Sequence, residues 1–522
     1  MSVRIEKGGW ILIFLLGVGL VGYSIHRYGF LDLRRWLGPP EVRRPAQSGD
    51  PSKSLPLGPD IAESNELRVR VNGRVSCVGG LVANGGPRTV PGSIYAGKGL
   101  RVSFEFVADW SKAAAALAEA NVDVLLTTVD VWARDQARLV EQNVSARAFF
   151  LSGWSRGADG VIGRQGIDSI EDLAGRTIAF APYTPSHFLL WNGLRNSGLS
   201  TKQRYDIFLK AVHTRDGIEP AVLFAENKVD AAVAWEPDLS DALTRRPGSR
   251  KIYDTRIANR LIADILVVSD RFAARAPQTL VRFIEGWLEG VEFIEVQPAR
   301  AYALIGTIMD LNIPEDLAKT MLDGVRLANY ADNVAFFGTP ESPSHYANLL
   351  RMGQEMYREL RLIRVSSDPE ATVDRRYLEA LRGRFSTVSA EKPIDYHPPP
   401  PGAVPLATQR RLIHFEAGTA RMELDGRAVV DQIGGFLRAY ENTVVEIEGN
   451  ADSTEAREPN LALAKERAEA VKRYLVEKFG FPPERIRKRG NGRDKPVAAD
   501  ATPEAQPRDG RTRIRIYANR QG

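Results

Sequence analysis

A run of four prolines, Pro398–Pro401, interrupts the chain and sets its organisation. Consecutive prolines cannot continue a helix or sit inside a sheet, and they favour an extended, stiff stretch. With its neighbours Glu391–Gly402 this run reads as a spacer. A second break, Gly38 to about Ser64, is rich in Pro, Ser, Gly and charge and reads as a tether. The breaks leave one body of about 325 residues (66–390) and one of about 115 (406–522), each long enough to bury a core. The expected layout is a membrane segment at 1–28, a linker at 29–65, the large body at 66–390, a Pro-rich linker at 391–405 and the small body at 406–522.

Trp10–Ile25 is 16 residues without a charge, roughly 24 Å of helix. Gly8 and Gly9 lengthen it to 18, the short end for crossing a bilayer. A cleaved signal segment would need a small-residue site after the apolar run. Tyr23–Arg27 offers none, and no Cys follows to accept a lipid, so an uncleaved single-pass anchor is the expectation and a cleaved segment the alternative. Arg27, Arg34 and Arg35 follow the segment, against the charge rule, but long domains translocate largely regardless of such charges. The bulk is therefore placed in the periplasm of a bacterial inner-membrane protein. The segment holds no Asp, Glu, Lys or Arg, so it offers no ion relay.

Composition removes other classes. The single cysteine, Cys77, excludes an intramolecular disulfide and a Cys-rich zinc module. Six scattered histidines include no HxxxH or HExxH pair, so no metal site is expected, and no cofactor. Seventy basic residues against 65 acidic ones are too mild an excess for nucleic-acid binding.

The large body alternates strand and helix signals. Leu67–Val71, Arg101–Val107, Val122–Thr127, Thr177–Ala181, Asp230–Trp235 and Ala263–Val268 read as strands. Ser111–Ala120, Ser186–Asn196 and Pro220–Asn227 read as helices between them, and Pro277–Val296, Pro298–Met309 and Pro314–Asn329 as a helical second half. Such alternation implies parallel βαβ units and an α/β sheet. The run Ile170-Glu-Asp-Leu-Ala-Gly-Arg-Thr-Ile-Ala-Phe-Ala-Pro-Tyr-Thr-Pro-Ser-His-Phe188 resembles periplasmic solute-binding proteins of nitrate/sulfonate/taurine ABC transporters. So do Lys228-Val-Asp-Ala-Ala-Val-Ala-Trp-Glu-Pro237 and Tyr330–Phe337. The resemblance implies a type II periplasmic-binding-protein domain, two α/β lobes that cross near residues 155 and 255 and close on a small solute. It also implies an ABC permease as partner.

Loops at the carboxyl ends of parallel strands face such a cleft. Thr184, Ser186 and His187 sit between a strand and a helix; Ser186 can cap that helix, whose free N–H groups make an anion seat. Trp235 and Glu236 end another strand, and an aromatic face beside a carboxylate could grip an amine, or simply form a packed hinge turn. Thr127 and Thr128, with Ser76–Gly80, are weaker candidates, and Gly79-Gly80 could bring backbone close to a ligand. No Arg or Lys stands at these strand ends, which leaves the ligand open and argues against a simple oxyanion receptor.

In the small body Leu412–Leu424 leads from a strand into a helix, Asp425–Tyr440. Strand Val444–Gly449 precedes Asn450-Ala-Asp452. Helix Asn460–Leu475 repeats apolar residues at 463, 464, 468, 471 and 475, so one face is buried. Ile486–Gly492 and Thr512–Tyr517 add strands. This pattern is similar to the OmpA-like peptidoglycan-binding domain, an α+β fold: a strand ending in G-x-x-D, N-x-x-L/A-x-x-x-R-A on a helix, then R-G-x-G. The resemblance carries the family's binding residues to Asp452, Asn460, Arg467 and Arg513. It departs from the family at Gly449-Asn-Ala-Asp452, usually Gly-His-Thr-Asp, and at Ala464, usually Ser. A carboxylate suits the diaminopimelate ammonium of the peptide stem and a guanidinium suits its carboxylate.

The sequence thus reads as an anchored solute receptor that holds peptidoglycan. A structural envelope tether whose lobes bind protein is the second reading. Enzymes exist among relatives of the receptor fold, which make thiamine precursors with His and Cys, but one Cys and no His cluster argue against that here.

Overall fold

Leu67, Val69 and Val71 alternate inward along a strand, and around such strands the large body is built. The computed structural model describes residues 66–519 apart from 73, 108–109, 111–112, 309–313, 340–343, 389–392, 404, 417, 450–456 and 491–510. The apolar run Trp10–Ile25 and Asp452 lie outside the described residues. Among the described residues no helix is long and apolar enough to cross a membrane.

In chain order the strands are β1 (Leu67–Val71), β2 (Val102–Phe106), β3 (Val124–Thr128), β4 (Ala146–Ser155), β5 (Asp159–Gly163), β6 (Ile178–Phe180), β7 (Val212–His213), β8 (Ala231–Trp235), β9 (Arg250–Asp254), β10 (Ala263–Ser269) and β11 (Val325–Leu327). The first sheet runs β11-β4-β10-β3-β1-β2 and the second β7-β6-β8-β5-β9. These are mixed sheets, not the parallel ones the alternation predicts. β1 pairs in parallel with β2 and β3, but β10 runs antiparallel to β3 and β4. The reason is the route of the chain. β10 returns from the second sheet and enters the first at the end where β3 leaves it.

Two crossovers join the lobes, Ser155 to Asp159 and Asp254 to Ala263. Thr255, fully buried, stitches them together. Its hydroxyl bonds the Ser155 hydroxyl at 2.8 Å and accepts the Gly157 N–H at 2.8 Å, while its own N–H reaches the Asp159 carbonyl at 3.0 Å.

The alternation missed β4, although all ten of its residues are buried. Arg147, Ser152 and Gly153 break its apolar run, and Arg147 is matched by Asp270 at 3.2 Å. The helix expected over 314–329 stops at Asp323. Gly324 ends it, and its carbonyl takes the N–H groups of Arg156 and Ala158, so Val325–Leu327 pairs with β4 instead.

Gly79 and Gly80 are not ligand glycines. They lie in helix Val78–Asn84, packed on helix Pro277–Val296, where a Cβ at Gly80 would stand 2.4 Å from the Trp287 ring.

The small body forms a third sheet from β12 (Ala407–Leu412), β13 (Thr443–Gly449), β14 (Ile486–Gly490) and β15 (Arg511–Ala518), ordered β12-β15-β13-β14. Helices Leu424–Leu437 and Arg457–Phe479 accompany it. Ala464, Ala468, Val471 and Leu475 are fully buried, and Leu463 partly. The Pro-rich stretch does not hold the bodies apart. Tyr396 is buried and donates to the Glu441 carbonyl at 3.2 Å, and the His397 N–H reaches Asn519 at 3.0 Å. The small body docks on the second lobe through the Tyr440 hydroxyl, which donates to the Asn192 amide oxygen, while the Tyr253 hydroxyl lies 2.7 Å from that of Tyr440 and 3.0 Å from the same oxygen. Gln409 bonds Asn196 at 2.8 Å beside them.

Replacing Thr255 with Val leaves two buried N–H groups without their acceptor and is expected to cost about 2–4 kcal/mol. Thr255→Ser keeps the hydroxyl and should stay within about 1 kcal/mol of wild type. Urea denaturation of the full chain distinguishes the two outcomes.

Candidate functional site

Past β1 the chain turns through Asn72 and Arg74 into a short helical turn, Val75–Cys77, and all these residues are buried. The Arg74 side chain points between the lobes. Its Nε donates to Asp264 of β10 at 3.0 Å. Nη1 and Nη2 grip Asp159, the first residue of β5, at 3.1 and 3.2 Å. One guanidinium therefore ties the first sheet to the second. Burial opposes its charge, but the two carboxylates outweigh burial and hold it protonated. Burial pushes the Asp264 carboxyl above the usual range, with Arg74 acting against that.

Around this triad lie polar groups without partners. Thr127 and Thr128 end β3, opposite Ile265 and Asp264 in the ladder. Both hydroxyls are fully buried and unbonded. The same holds for the Ser76 hydroxyl, both atoms of the Asn72 amide, and both oxygens of Asp130. Asp130 opens helix Val129–Glu141, and burial raises its carboxyl to about 7. One turn on, Arg134 pairs with Asp135 at 2.7 Å and reaches the Tyr183 carbonyl of the second lobe at 3.1 Å. Its guanidinium lies 6.0 Å from the centre of the Tyr357 ring. The Tyr357 hydroxyl is buried and unpartnered.

From the second lobe, Ser186 brings a fully buried, unbonded hydroxyl. It does not cap its helix, Pro185–Arg195: the N-cap is Thr184, whose hydroxyl donates to the Ala181 carbonyl at 2.8 Å. His187 is held in an aromatic box, with Phe180 at 5.0 Å and Phe208 at 5.5 Å, and its Nδ1 accepts the Tyr183 N–H. Burial drives its pKa down to about 3, so the ring is neutral. Trp235 ends β8 opposite Asp159 and lies against Gly217, where a Cβ would stand 1.8 Å from the indole. Glu236 already grips an amine, that of Lys251 at 3.0 Å, and accepts the Ser240 N–H. Cys77 is a buried thiol pushed up to about 12 by burial and Asp264.

Arg74, Asp130, Asp159, Asp264 and Tyr357 were missed by the strand-end reading. They come from five separate elements, far apart along the chain.

A separate cavity of about 560 Å³ opens at the opposite end of β1 and β3, lined by Arg68, Asp123, Arg271 and Arg275 among others. Arg68 is committed there to Asp123 at 3.0 Å.

In the small body, a Cβ on Gly449 would stand 2.2 Å from the Ala464 carbonyl, so this glycine lets helix Arg457–Phe479 close over the end of β13. Arg467 on that helix is buried. Its Nε donates to the Thr419 carbonyl at 3.1 Å and its guanidinium lies 5.0 Å from the Phe415 ring centre. Asn460 falls in the first turn of the helix. Arg513 faces the buried Glu448 at 3.6 Å. On the surface His414, Glu423 and Asp425 bring possible ligand atoms within 4.8 Å of one another, and His414 bonds Asp425 directly.

Residues 414–510 match the model of the OmpA family, so the chain carries an OmpA-family domain near its C-terminus. The chain is 34% identical over 107 residues to outer membrane protein A of Bordetella avium, which covers 20% of this chain and 55% of that protein. It is 40% identical over 86 residues to the peptidoglycan-associated lipoprotein of Rhizobium meliloti, 16% of this chain and 48% of that one. The chain thus spans about half the length of these curated relatives. Among solved structures, the chain is similar to the periplasmic aliphatic sulphonate binding protein SsuA from Escherichia coli, with 17% identity and a TM-score of 0.47, over 61% of this chain and all of that one. The desulfurization enzyme DSZB is similar at 12% identity and a TM-score of 0.43, over 61% of this chain and 99% of that one.

The raised Asp130 carboxyl fixes a pH dependence. Between about pH 4 and 7 the folded chain keeps a proton that the unfolded chain releases, so stability falls as pH rises, by up to about 1.4 kcal/mol per pH unit from this one group. Asp130→Asn should flatten that slope while leaving Arg74 and Asp159 in place. Denaturation midpoints of both proteins across this range test it, and parallel slopes would refute it.

Proposed function

We propose that this chain is a binding protein of the bacterial envelope, not an enzyme: a two-lobed receptor that captures a small solute between its lobes and attaches to peptidoglycan through its C-terminal domain. The observation that carries the receptor part is the set of buried, unpartnered polar side chains, Ser76, Thr127, Thr128 and Asp130 from one lobe and Ser186 from the other. Buried polar groups are normally satisfied, and orphans gathered in one cleft are what a bound solute would satisfy. Thr184 and His187 shape that wall, and Trp235 with Glu236 flank the crossover. Trp10–Ile25 anchors the chain in the inner membrane in a single pass, and an ABC permease receives the solute.

The OmpA-family match supports the wall-binding part. Asp452, Asn460, Arg467 and Arg513 are its proposed contacts, Asp452 for the stem ammonium and Arg467 for the carboxylate.

A second reading, an envelope scaffold whose lobes bind protein, has one observation in its favour. Arg74 already spans the lobes and Glu236 already holds Lys251, so part of the cleft is filled from within.

Co-sedimentation with purified peptidoglycan tests the wall-binding part. Asp452→Asn should weaken retention about tenfold or more, the scale of a lost charge-assisted hydrogen bond. Its melting curve should match wild type. Undiminished retention by the folded variant would reject the assignment.

A further inference from the structure

The charges of the cleft point to the kind of solute. Two guanidiniums, Arg74 and Arg134, face four carboxylates, Asp130, Asp135, Asp159 and Asp264, all of them buried. Every nitrogen of both guanidiniums already donates to the protein. Arg74 gives Nε to Asp264 and both Nη atoms to Asp159. Arg134 gives Nε to Asp135, Nη1 to the Tyr183 carbonyl and Nη2 to the Trp110 carbonyl. The acceptors are not used up. Asp130 Oδ1 and Oδ2, Asp135 Oδ2 and Asp264 Oδ2 have no hydrogen-bond partner. An anion entering here would meet the Asp130, Asp135 and Asp264 oxygens, and each guanidinium nitrogen it approached would already be donating to the protein. A guest rich in donors and positive in charge would satisfy the orphan oxygens and favour the ionised forms of Asp130 and Asp264.

Resting on the receptor reading above, we infer that the cleft takes a small organic ammonium compound, its N–H groups donating to Asp130 and Asp264 and its remaining polar atoms meeting Ser76, Thr127, Thr128 and Ser186. A bare metal ion fits less well. Among the described residues the one group of three His, Cys, Asp or Glu ligand atoms within 4.8 Å is His414, Glu423 and Asp425, on the surface of the small body. No three of the cleft carboxylates bring oxygens within 4.8 Å of one another, whereas an ammonium spreads its donors over a wider shell. Tyr357, whose ring faces the same helix, supplies an aromatic wall that a cation tolerates and an anion does not.

The test uses the full chain and four probes at millimolar concentration: n-propylammonium, 1,4-diaminobutane, 1-propanesulfonate and magnesium chloride. Thermal unfolding followed by calorimetric titration reads binding. The expected result is a saturable rise in melting temperature with one or both ammonium probes and none with the sulfonate. Asp130→Asn should weaken that binding about tenfold or more. Ser186→Ala, from the opposite lobe, gives a second reading if the Asp130 variant does not fold, and should weaken it severalfold. Binding of the sulfonate with the ammonium probes silent would overturn the inference and leave the receptor reading standing. Binding of magnesium alone, lost in Asp130→Asn, would overturn it in favour of a metal site. No response to any of the four would remove both the inference and the receptor reading.

Discussion

The two lobes meet around one buried guanidinium. Arg74 is held between Asp264 in the first sheet and Asp159 at the start of the second. Removing either carboxylate would leave a buried charge short of its partner, a loss on the order of 3–5 kcal/mol. The triad therefore constrains any motion between the lobes. Asp159 lies four residues beyond Ser155, next to the Thr255 stitch, so it sits at the pivot and not at the rim. A hinge can open there with Arg74 still gripped on both sides. Contacts farther out, such as Arg134 to the Tyr183 carbonyl, are the ones that must part. The same geometry explains why polar side chains survive in this interior: the bridge lets solvent or solute reach them only when those outer contacts release.

The small body adds a second constraint. Its Tyr440 hydroxyl, with Tyr253 and Asn192, forms a buried three-way network on the second lobe. Its Ala439 carbonyl accepts the Arg260 N–H, and the Arg260 carbonyl in turn meets His345 at 2.8 Å. His345 begins helix His345–Glu359, whose Gly353 lies against Asp130 of the first lobe. The docked domain thus touches the second lobe directly and the first lobe through one helix. A receptor that moves its lobes must carry this domain with one of them, and the polar network around Tyr440 binds it to the second.

Much of this was legible. Alternating apolar residues marked β1, β2, β3, β6, β8 and β10, and the buried stripe of helix Arg457–Phe479 followed from its three-and-four spacing. Thr127, Thr128 and Ser186 were singled out because strand ends in α/β folds face clefts, and all three are buried. What failed has physical causes. β4 hides because a strand buried on both faces shows no alternation, and Arg147 and Gly153 disguise its apolar run. β10 reads as another parallel strand because sequence periodicity carries no direction. Arg74 looks like a surface residue until Asp159 and Asp264, 85 and 190 positions away, fold around it. Glu236 was read as a carboxylate that could grip a ligand's amine, but Lys251, fifteen residues on, holds it from within the chain.

The last step concerns what a fold can say about its ligand. Strand order places a cleft, and the side chains at its strand ends decide its charge. Here the resemblance in sequence leads to anion receptors, while the walls carry four carboxylates and two guanidiniums that are already engaged. An anion would have to share Arg74 with Asp159 and Asp264 or displace one of them. Displacement leaves the freed carboxylate buried beside the incoming charge, so each gain is matched by a repulsion at close range in a medium of low polarity. A cation meets no such exchange, because the oxygens it needs are free while Arg74 keeps its partners. The internal ion triad therefore acts as a filter on charge: by occupying the basic group that an anion would need, it leaves the cleft complementary to the opposite sign.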